Sequence, residues 1–500
     1  MHKPLNLIVI DDDSQRKPIY QAFVENYNKS VDYKKYDLVP IFAFKLADAL
    51  NKLNNSRGTS LILLDMVRSW QKDQLRQCIG SNSHPMIALS EQFNLPEATE
   101  EYIYYAEHLR KPPPIIHFRD LRDAFTHNNW ETVLDVFSTH LSILMDLEPS
   151  ADWAPDRSVH VMHMTDVHMG ADSLSLSELQ DISAVLNSNH RHPIELNADF
   201  IAITGDLTDR GVTGNFETAV QRVRQFFEAG WMRERTPSIM PSARVLACPG
   251  NHDFNEQLAG ARLLIHDGSQ PAGFRLVEKL PVDEWRNWYY GLLPFAAFHR
   301  AVTGFVSWEL GDMPGFRVNA RFKAQGIFFV EIWAQEFRCG NAANIVPKGW
   351  IDKAIEGIQK EVSAKSSSGD TVIILIHDLS VENPLTQDAR IIHALHKMSE
   401  GRNIIVLTGH LHTSKADIIK FGDGKPSRVL HVRTDTSNPK NIRAGSLPSF
   451  ALLIIQRDKF VVTGCEVHRI EYKSDTGWTR NAERTVCFRL RNEVWENLPD

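Results

Sequence analysis

Five short polar motifs, each directly after an apolar run, constrain the fold of this chain more than any other feature. They are Asp166-Val167-His168, Gly205-Asp206, Gly250-Asn251-His252-Asp253, His377-Asp378 and Gly409-His410-Leu411-His412. The apolar runs before them, such as 159–164, 199–204 and 403–407, are typical of buried strands in an α/β sheet. Because such sheets bind ligands at the carboxyl ends of their strands, we expect the motifs to form a binding site.

The residue types in these motifs indicate a metal site. Side chains at positions i and i+2 of an extended strand lie on the same side, so Asp166 and His168 are expected to reach one cation. His410 and His412 repeat this spacing. Asp206 can bridge two cations with its two carboxylate oxygens. A mixed set of oxygen and nitrogen ligands favours manganese, iron or zinc over calcium.

In order and type, the five motifs resemble those of the calcineurin-like metallophosphoesterases, which are D-x-H, G-D, G-N-H-[DE], H and G-H-x-H. The resemblance covers residues 157–472. The longer segments MTDVHMG, ITGDLTDRG, CPGNHD and TGHLH are most similar to the branch that contains the class III cyclic-nucleotide phosphodiesterases. The resemblance implies a four-layer αββα sandwich that holds two divalent metal ions and hydrolyses a phosphate ester.

The resemblance also implies a role for each motif residue. The implied metal ligands are Asp166, His168 and His412 for the first ion, Asn251, His377 and His410 for the second, and Asp206 for both. His252 would face the leaving group rather than bind metal, and Asp253 would orient it. Arg210 matches the arginine that contacts phosphate in the protein serine/threonine phosphatases.

The implied reaction is an attack on phosphorus by a hydroxide that bridges the two ions, because a bound metal lowers the pKa of water from 15.7 to about 7. A protonated His252 would then donate its proton to the departing alkoxide. The favoured substrate is a phosphodiester, either a cyclic nucleotide or another nucleotide. The alternatives are a phosphomonoesterase or protein phosphatase that relies on Arg210, a nuclease, and a non-catalytic signalling adaptor with a structural metal site.

A long insertion at residues 255–317 carries many aromatic side chains in the predicted phosphoesterase. They include Trp285, Trp288, Tyr289, Tyr290, Phe295, Phe298, Phe305 and Trp308. Two interpretations remain open at this point. The aromatic rings could stack on a nucleobase, or they could form the small core of a cap, which is the interpretation we favour.

The first 118 residues alternate strand-like and helix-like segments and predict a doubly wound, flavodoxin-like α/β domain. Its strand ends carry a second set of polar residues, namely Asp11, Asp12, Asp65 and Ser90, followed by Lys111. This ordered set resembles the receiver domain of two-component response regulators. The resemblance implies that the three carboxylates bind magnesium and that Asp65 accepts a phosphoryl group from a histidine kinase, with Ser90 and Lys111 as its contacts.

His108 stands where receiver domains commonly have an aromatic residue, so a receiver-like scaffold that no longer accepts phosphate is the alternative. Between the two domains, residues 119–156 predict a helical connector and linker, through which the receiver-like domain would regulate the phosphoesterase. Residues 473–500 are expected to form a C-terminal extension.

Composition excludes few classes of protein. The formal net charge of -7 disfavours a dedicated nucleic-acid binder, although a nuclease stays among the alternatives. The five scattered cysteines predict a reducing compartment. Neither a signal peptide nor an apolar run of about 18 residues is apparent, so we expect a cytoplasmic protein without a membrane span.

Overall fold

A computed structural model describes most of the two predicted domains. The described residues are 3–31, 33–55, 59–65, 85–90, 115–145, 156–169, 198–208, 211, 216, 219, 244–255, 291–292, 294–296, 298–299, 302–303, 315–333, 350–379, 387–411, 413–419, 428–437, 449–473, 477–491 and 494–498. The chain forms two compact units. The first comprises Met1–Ser150, Arg235–Ala243 and His299–Met313, and the second comprises Ala151–Glu234, Arg244–Phe298 and Pro314–Asp500.

A parallel five-stranded sheet forms the centre of the first unit. Its strands are β1 (Pro4–Ile10), β2 (Asp37–Ala43), β3 (Ser60–Asp65), β4 (Met86–Ser90) and β5 (Ile115–His117). The strand order is β2-β1-β3-β4-β5, and every neighbouring pair is parallel. The sequence analysis missed β2, which contains Pro40. A proline is tolerated there because β2 lies at the edge of the described sheet.

Helices cover both faces of this sheet. They are α1 (Lys17–Lys29), α2 (Leu46–Asn55), α3 (Phe118–His127) and α4 (Glu131–Leu144). Alternate residues of β1 point to opposite faces: Leu7 packs in one core with α1, α3 and α4, and Ile8 packs in another with α2. The sequence predicts a connector at 119–156, but α3 and α4 belong to the first core. Leu121 and Phe137, on the apolar sides of these helices, are buried there.

The flavodoxin-like receiver fold itself stays a prediction. Segments 66–84 and 91–114, which separate β3 from β4 and β4 from β5, lie outside the described residues. What the described part establishes is a parallel α/β sheet with helices on both faces.

Two mixed sheets form the second unit. Their strands are β6 (Val159–Met164), β7 (Phe200–Thr204), β8 (Val245–Cys248), β9 (Phe316–Asn319), β10 (Ile327–Ile332), β11 (Thr371–Leu375), β12 (Asn403–Thr408), β13 (Lys415–Ile418), β14 (Val429–Arg433), β15 (Ser449–Asp458), β16 (Val461–Lys473), β17 (Gly477–Arg491) and β18 (Val494–Leu498). One sheet has the order β18-β17-β16-β15-β6-β7-β8, and the other has the order β13-β14-β12-β11-β10-β9.

The two sheets pack face to face through large apolar side chains. The ring of Phe200 on β7 lies 4.6 Å from the ring of Phe329 on β10 and 4.6 Å from the ring of Phe322, which lies in the loop between β9 and β10. At the edge strand β8, the backbone N–H of Ala247 donates to the buried carboxylate of Glu331, which Arg317 pairs at 3.0 Å. A backbone group at the end of a sheet, which would otherwise lack a strand partner, is thereby satisfied.

The outer layer of this sandwich is helical. Helices α5 (Trp350–Lys365) and α6 (Gln387–Met398) pack against each other, and α5 also contacts β9. The segments that connect β6 to β7 and β7 to β8 lie mostly outside the described residues. The mixed α/β sandwich is therefore confirmed, and a fourth layer stays a prediction.

The seven-stranded sheet continues beyond residue 472, which is the predicted end of the phosphoesterase domain. β17 pairs with β16 along most of its length, and β18 pairs with β17. The region 473–500 therefore contributes two strands to the sheet, with Phe488 and Trp495 buried.

Most of the insertion at 255–317 lies outside the described residues, including six of the eight aromatic residues named in the sequence analysis. The two that are described, Phe295 and Phe298, are fully buried. The ring of Phe295 meets that of Trp333 edge-on at 5.0 Å, and the ring of Phe298 lies 5.9 Å from that of Phe216. These two rings belong to a packed core that includes Phe216 and Trp333 from outside the insertion, and they are not presented to solvent for stacking. A separate core within the cap stays a prediction. Within the described part of the chain, we find no helix of the length and apolar character that a membrane span requires.

Candidate metal centre

The loops that follow the strands of the second unit adopt an uncommon backbone conformation. Asp166, His168, Asp206 and His410 have φ values of 52°, 48°, 48° and 68°. Residues other than glycine seldom adopt positive φ, and such residues cluster at functional sites. The expectation that Asp166 and His168 leave one extended strand is therefore wrong, because β6 ends at Met164 and the chain turns immediately afterwards.

Backbone hydrogen bonds hold the loops after β6 and β7 side by side. Gly205 accepts from the N–H of Asp166 at 3.1 Å, and Asp206 accepts from the N–H of His168 at 2.9 Å. These bonds continue the parallel pairing of β6 and β7 past the strand ends. They bring the three predicted ligands of these loops to one place despite the turn.

Asp206 occupies the middle of the candidate site. Its Oδ1 accepts the backbone N–H of His252 at 2.8 Å. Its Oδ2 lies 3.2 Å from Nε2 of His377 and 3.9 Å from Nε2 of His168. One carboxylate thus lies between a histidine of its own sheet and a histidine from the facing sheet, as a bridging ligand should.

Two groups of side chains around this carboxylate could each hold a metal ion. The first is His168, Asp206 and His252, and the second is Asp206, His377 and His410. Asp206 belongs to both groups, in agreement with the predicted bridge. The first group includes His252, for which the sequence analysis predicts no metal bond.

The second group converges closely around Asn251. The Oδ1 atom of Asn251 lies 3.1 Å from Nε2 of His377 and 3.1 Å from Nδ1 of His410. On the other side of its ring, Nδ1 of His377 contacts the carbonyl oxygen of Thr204 at 2.7 Å. A proton on Nδ1 for that bond leaves Nε2 free to bind a cation, which is how histidine ligands are usually oriented.

Charge in this site is balanced between one carboxylate and the imidazoles. Burial alone would raise the pKa of Asp206, but His377, His168 and His252 bring that pKa well below its ordinary value. Burial likewise opposes a charge on His377, yet Asp206 raises its pKa to about 10. The negative charge that holds a proton on His377 is the same charge that would attract a divalent cation.

Glycines allow the carboxylates to approach the facing backbone. A Cβ atom on Gly250 would lie 2.2 Å from Oδ1 of Asp206, and one on Gly409 would lie 2.6 Å from Oδ2 of Asp166. Each distance is far shorter than a carbon–oxygen contact permits. The residue types, their convergence and these two glycines all fit a metal centre.

Asp253 binds backbone rather than facing outward. Its buried carboxylate accepts N–H bonds from Leu207 at 3.2 Å, Thr208 at 2.9 Å and Gly250 at 2.9 Å. Burial and the charge of Asp206 raise the pKa of Asp253 to about 6, although these N–H bonds act in the opposite direction. Asp253 thus ties the loops after β7 and β8 together, and its predicted role in orienting His252 stays a prediction.

One supporting residue was missed by the sequence analysis. The hydroxyl of Thr436 donates to the carbonyl oxygen of Asp166 at 2.6 Å, in the loop that follows β14. Its neighbour Asp435 is held by Arg469 on β16 at 3.0 Å, and Arg469 also pairs with Glu471. The segment Thr434–Ser437 follows a strand, as the five motifs do, but β14 ends in His431, Val432 and Arg433, so its apolar signal is weak.

The remaining predicted site residues fall into two groups. Arg210, His412 and Lys111 lie outside the described residues, as does the side chain of Ser90 at the end of β4. Asp11, Asp12 and Asp65 of the first unit do come together, with ligand atoms within 4.8 Å of one another.

Comparison with known proteins identifies the family. The model of the family described as calcineurin-like phosphoesterase matches residues 159–414, which is more than half of the 500 residues. The chain belongs to the calcineurin-like phosphoesterase family. Membership in this family implies metal-dependent hydrolysis of a phosphate ester, and the two clusters that share Asp206 lie within the matched segment.

The other two comparisons add no information about function. No curated protein matches this phosphoesterase. Among solved structures, it is similar to GAP50, the anchor in the inner membrane complex of Plasmodium, at 11% identity and a TM-score of 0.31. That likeness covers 65% of this chain and 88% of that chain, and it is too weak to support an inference about function.

The bond from Thr436 to Asp166 generates a test of the centre. Replacing Thr436→Val keeps the shape of the side chain and removes the donor, so Asp166 loses part of its support. We expect manganese affinity, measured by equilibrium dialysis, to fall about tenfold or more, as is typical when a group behind a metal ligand is removed. The control is Thr126→Val, which removes a hydroxyl bond to a backbone carbonyl on an exposed side of α3. Unchanged affinity in both variants would show that Thr436 does not support the centre.

Proposed function

We propose that the second unit is a phosphodiesterase that acts on a nucleotide, either a cyclic nucleotide or another nucleotide phosphodiester. The observation that carries the proposal is the position of Asp206, which belongs to two groups of side chains that could hold metal ions, with the half-buried His252 at the edge of the first group. A site that only stabilises the fold has no need for a partly exposed histidine at its edge.

Two divalent cations fit this centre. Asp166, His168 and His412 would hold one, Asn251, His377 and His410 would hold the other, and Asp206 would contact both. The mixture of carboxylate, amide and imidazole ligands favours manganese, iron or zinc. Such cations supply an activated water and stabilise negative charge on a phosphoryl group.

His252 is suited to protonate the leaving group. Its backbone N–H is fixed by Asp206 at 2.8 Å, and its ring meets that of His168 edge-on at 4.8 Å. The side chain is only half-buried, so a substrate can reach it. Asp253 fixes the same turn through Gly250 and thereby limits where the ring can lie.

The choice between a diester and a monoester is the first test. We expect the purified protein with manganese to hydrolyse bis(p-nitrophenyl) phosphate with a higher kcat/KM than p-nitrophenyl phosphate. Both activities should be lost after chelation or in Asp206→Asn, because each requires the metals. A preference for the monoester, together with a loss of activity in Arg210→Ala, would support a phosphatase. Hydrolysis of neither ester at full metal occupancy would support the adaptor.

A second test concerns His252. We expect His252→Ala to lower kcat about 10²–10⁴-fold, which is the usual contribution of a general acid, with no change in bound manganese. His127→Ala, at an exposed position of α3, is the matched control. If His252→Ala binds one manganese ion fewer, His252 is instead a metal ligand, as its group with His168 and Asp206 allows. If turnover is unchanged, His252 has no part in the mechanism.

We further propose that the first unit regulates the phosphoesterase in the manner of a receiver domain. Asp11, Asp12 and Asp65 would bind magnesium, Asp65 would accept a phosphoryl group from a histidine kinase, and Ser90 and Lys111 would contact that group. The strand order 2-1-3-4-5 supports this, because flavodoxin-like domains have the same order and place their sites at the carboxyl ends of β1 and β3.

Phosphoryl transfer to Asp65 can be measured directly. We expect acetyl phosphate with magnesium to add one phosphoryl group to the protein, detected as a mass increase of the intact chain. The Asp65→Asn variant should gain none, and Asp123→Asn, on the exposed side of α3, should behave as the unmodified chain. If the unmodified chain gains no mass, the first unit is a scaffold that resembles receivers without accepting phosphate.

A further inference from the structure

The acidic cluster of the first unit already contains a cation. Arg16 ends a short 3-10 turn, Ser14–Arg16, that follows β1. Its Nη1 atom lies 3.3 Å from Oδ2 of Asp65 and 3.6 Å from Oδ2 of Asp11. Both carboxylates are buried, with side-chain exposures of 4% and 1%, so neither charge is screened well by solvent.

Two further contacts fix this arrangement. The guanidinium of Arg16 lies over the ring of Phe118 at 4.3 Å from its centroid, a cation–π contact. The Nε atom of Arg16 lies 3.5 Å from the carboxylate of Asp13. The position of the guanidinium is therefore set by an aromatic ring as well as by its acidic neighbours.

The oxygens of Asp11 are also engaged. Its Oδ1 accepts the backbone N–H of Asp13 at 2.7 Å. Its Oδ2, the oxygen that faces Arg16, accepts the hydroxyl of Tyr20. A divalent cation would have to share this oxygen with a phenol and a guanidinium.

Simultaneous occupancy by both cations is unfavourable. An arginine side chain stays protonated in a protein, so Arg16 cannot be neutralised to make room. Magnesium binds oxygen at 2.0–2.1 Å and demands near-ideal geometry. An ion at that distance from Oδ2 of Asp65 would lie within a few ångströms of the guanidinium, where repulsion is strong in a buried site.

We propose that Arg16 acts as a tethered cation that competes with divalent metal for Asp11 and Asp65. The acidic cluster binds a divalent cation only when the guanidinium leaves it, and the metal affinity of the cluster is set by Arg16. The competition follows from the ion pairs alone. Only the purpose of the bound metal, which is to support phosphoryl transfer to Asp65, rests on the proposed receiver-like function of the first unit.

Manganese serves as the probe, because carboxylate sites suited to magnesium also bind manganese. The phosphoesterase centre would also bind manganese, so the measurement compares variants that differ only in the first unit. Bound manganese is counted by equilibrium dialysis for the unmodified chain, Asp65→Asn, Arg16→Gln, Arg16→Lys, and the double variant Arg16→Gln with Asp65→Asn.

We expect Arg16→Gln to bind one more manganese ion than the double variant Arg16→Gln with Asp65→Asn. The affinity for this additional ion should be at least tenfold higher than the affinity of the acidic cluster in the unmodified chain. At the same manganese concentration, the unmodified chain and Asp65→Asn should bind equal amounts. Arg16→Lys should resemble the unmodified chain, because it keeps the positive charge. If near-ultraviolet circular dichroism shows that Arg16→Gln does not fold, Arg16→Met, which also lacks the charge, is measured in its place.

Two results would overturn the proposal. The first is that the unmodified chain binds a manganese ion that is lost in Asp65→Asn, with the same affinity as Arg16→Gln. The other is a folded variant without the charge that gains no ion. Neither result depends on phosphoryl transfer, so a failure of Asp65 to accept phosphate would leave the manganese counts, and hence this inference, unaffected.

Discussion

The phosphoesterase centre depends on one buried negative charge. Asp206 is almost completely enclosed, and an enclosed carboxylate is stable only when cations or hydrogen-bond donors surround it. Here His377 and His168 approach one oxygen, and the backbone N–H of His252 binds the other. Because these partners come from both sheets of the sandwich, the carboxylate links the two sheets at the place where a substrate would react.

Holding that charge in place constrains the backbone around it. Positive φ at a residue other than glycine costs about 1–3 kcal/mol, and four residues of the candidate site have it. The hydrogen bonds behind the site oppose this cost. Asp253 binds three backbone N–H groups, and Thr436 binds the backbone of Asp166. The loops after β7, β8 and β14 therefore act as one support for the ligands.

The order of the motifs was sufficient to predict the family and the convergence of several motif side chains. β6 (Val159–Met164) has the bounds that the sequence predicts, because four of its six residues are apolar and the other two are histidines. The direction of the ligand side chains could not be predicted, because it depends on the left-handed turns that follow the strands, and nothing in Asp166-Val167-His168 marks these turns. Thr436 was missed for a related reason: a single hydroxyl has a function there only because the β14 loop lies against Asp166.

Edge strands were the least predictable elements. β2 contains a proline, and β9 has only four residues, so neither shows the apolar run by which buried strands are recognised. β17 lies next to the edge strand β18; it is long but alternates polar and apolar residues weakly, and its pairing with β16 shifts register near Val467. Such strands are defined by the neighbour that accepts their hydrogen bonds, which is information that a local pattern does not contain.

The two acidic sites of this protein differ in the kind of cation that stands beside the carboxylates. His377 in the phosphoesterase centre can give up its proton, so a metal ion can take over the interaction with Asp206 without any movement of the chain. Arg16 in the first unit keeps its proton under all ordinary conditions, so a metal ion can take over the interaction with Asp65 only if the side chain moves away from Phe118. On these proposals, metal binding would exchange one charge for another at the first site and would move the Arg16 side chain at the second, and such a movement is a change to which the rest of a fold can respond.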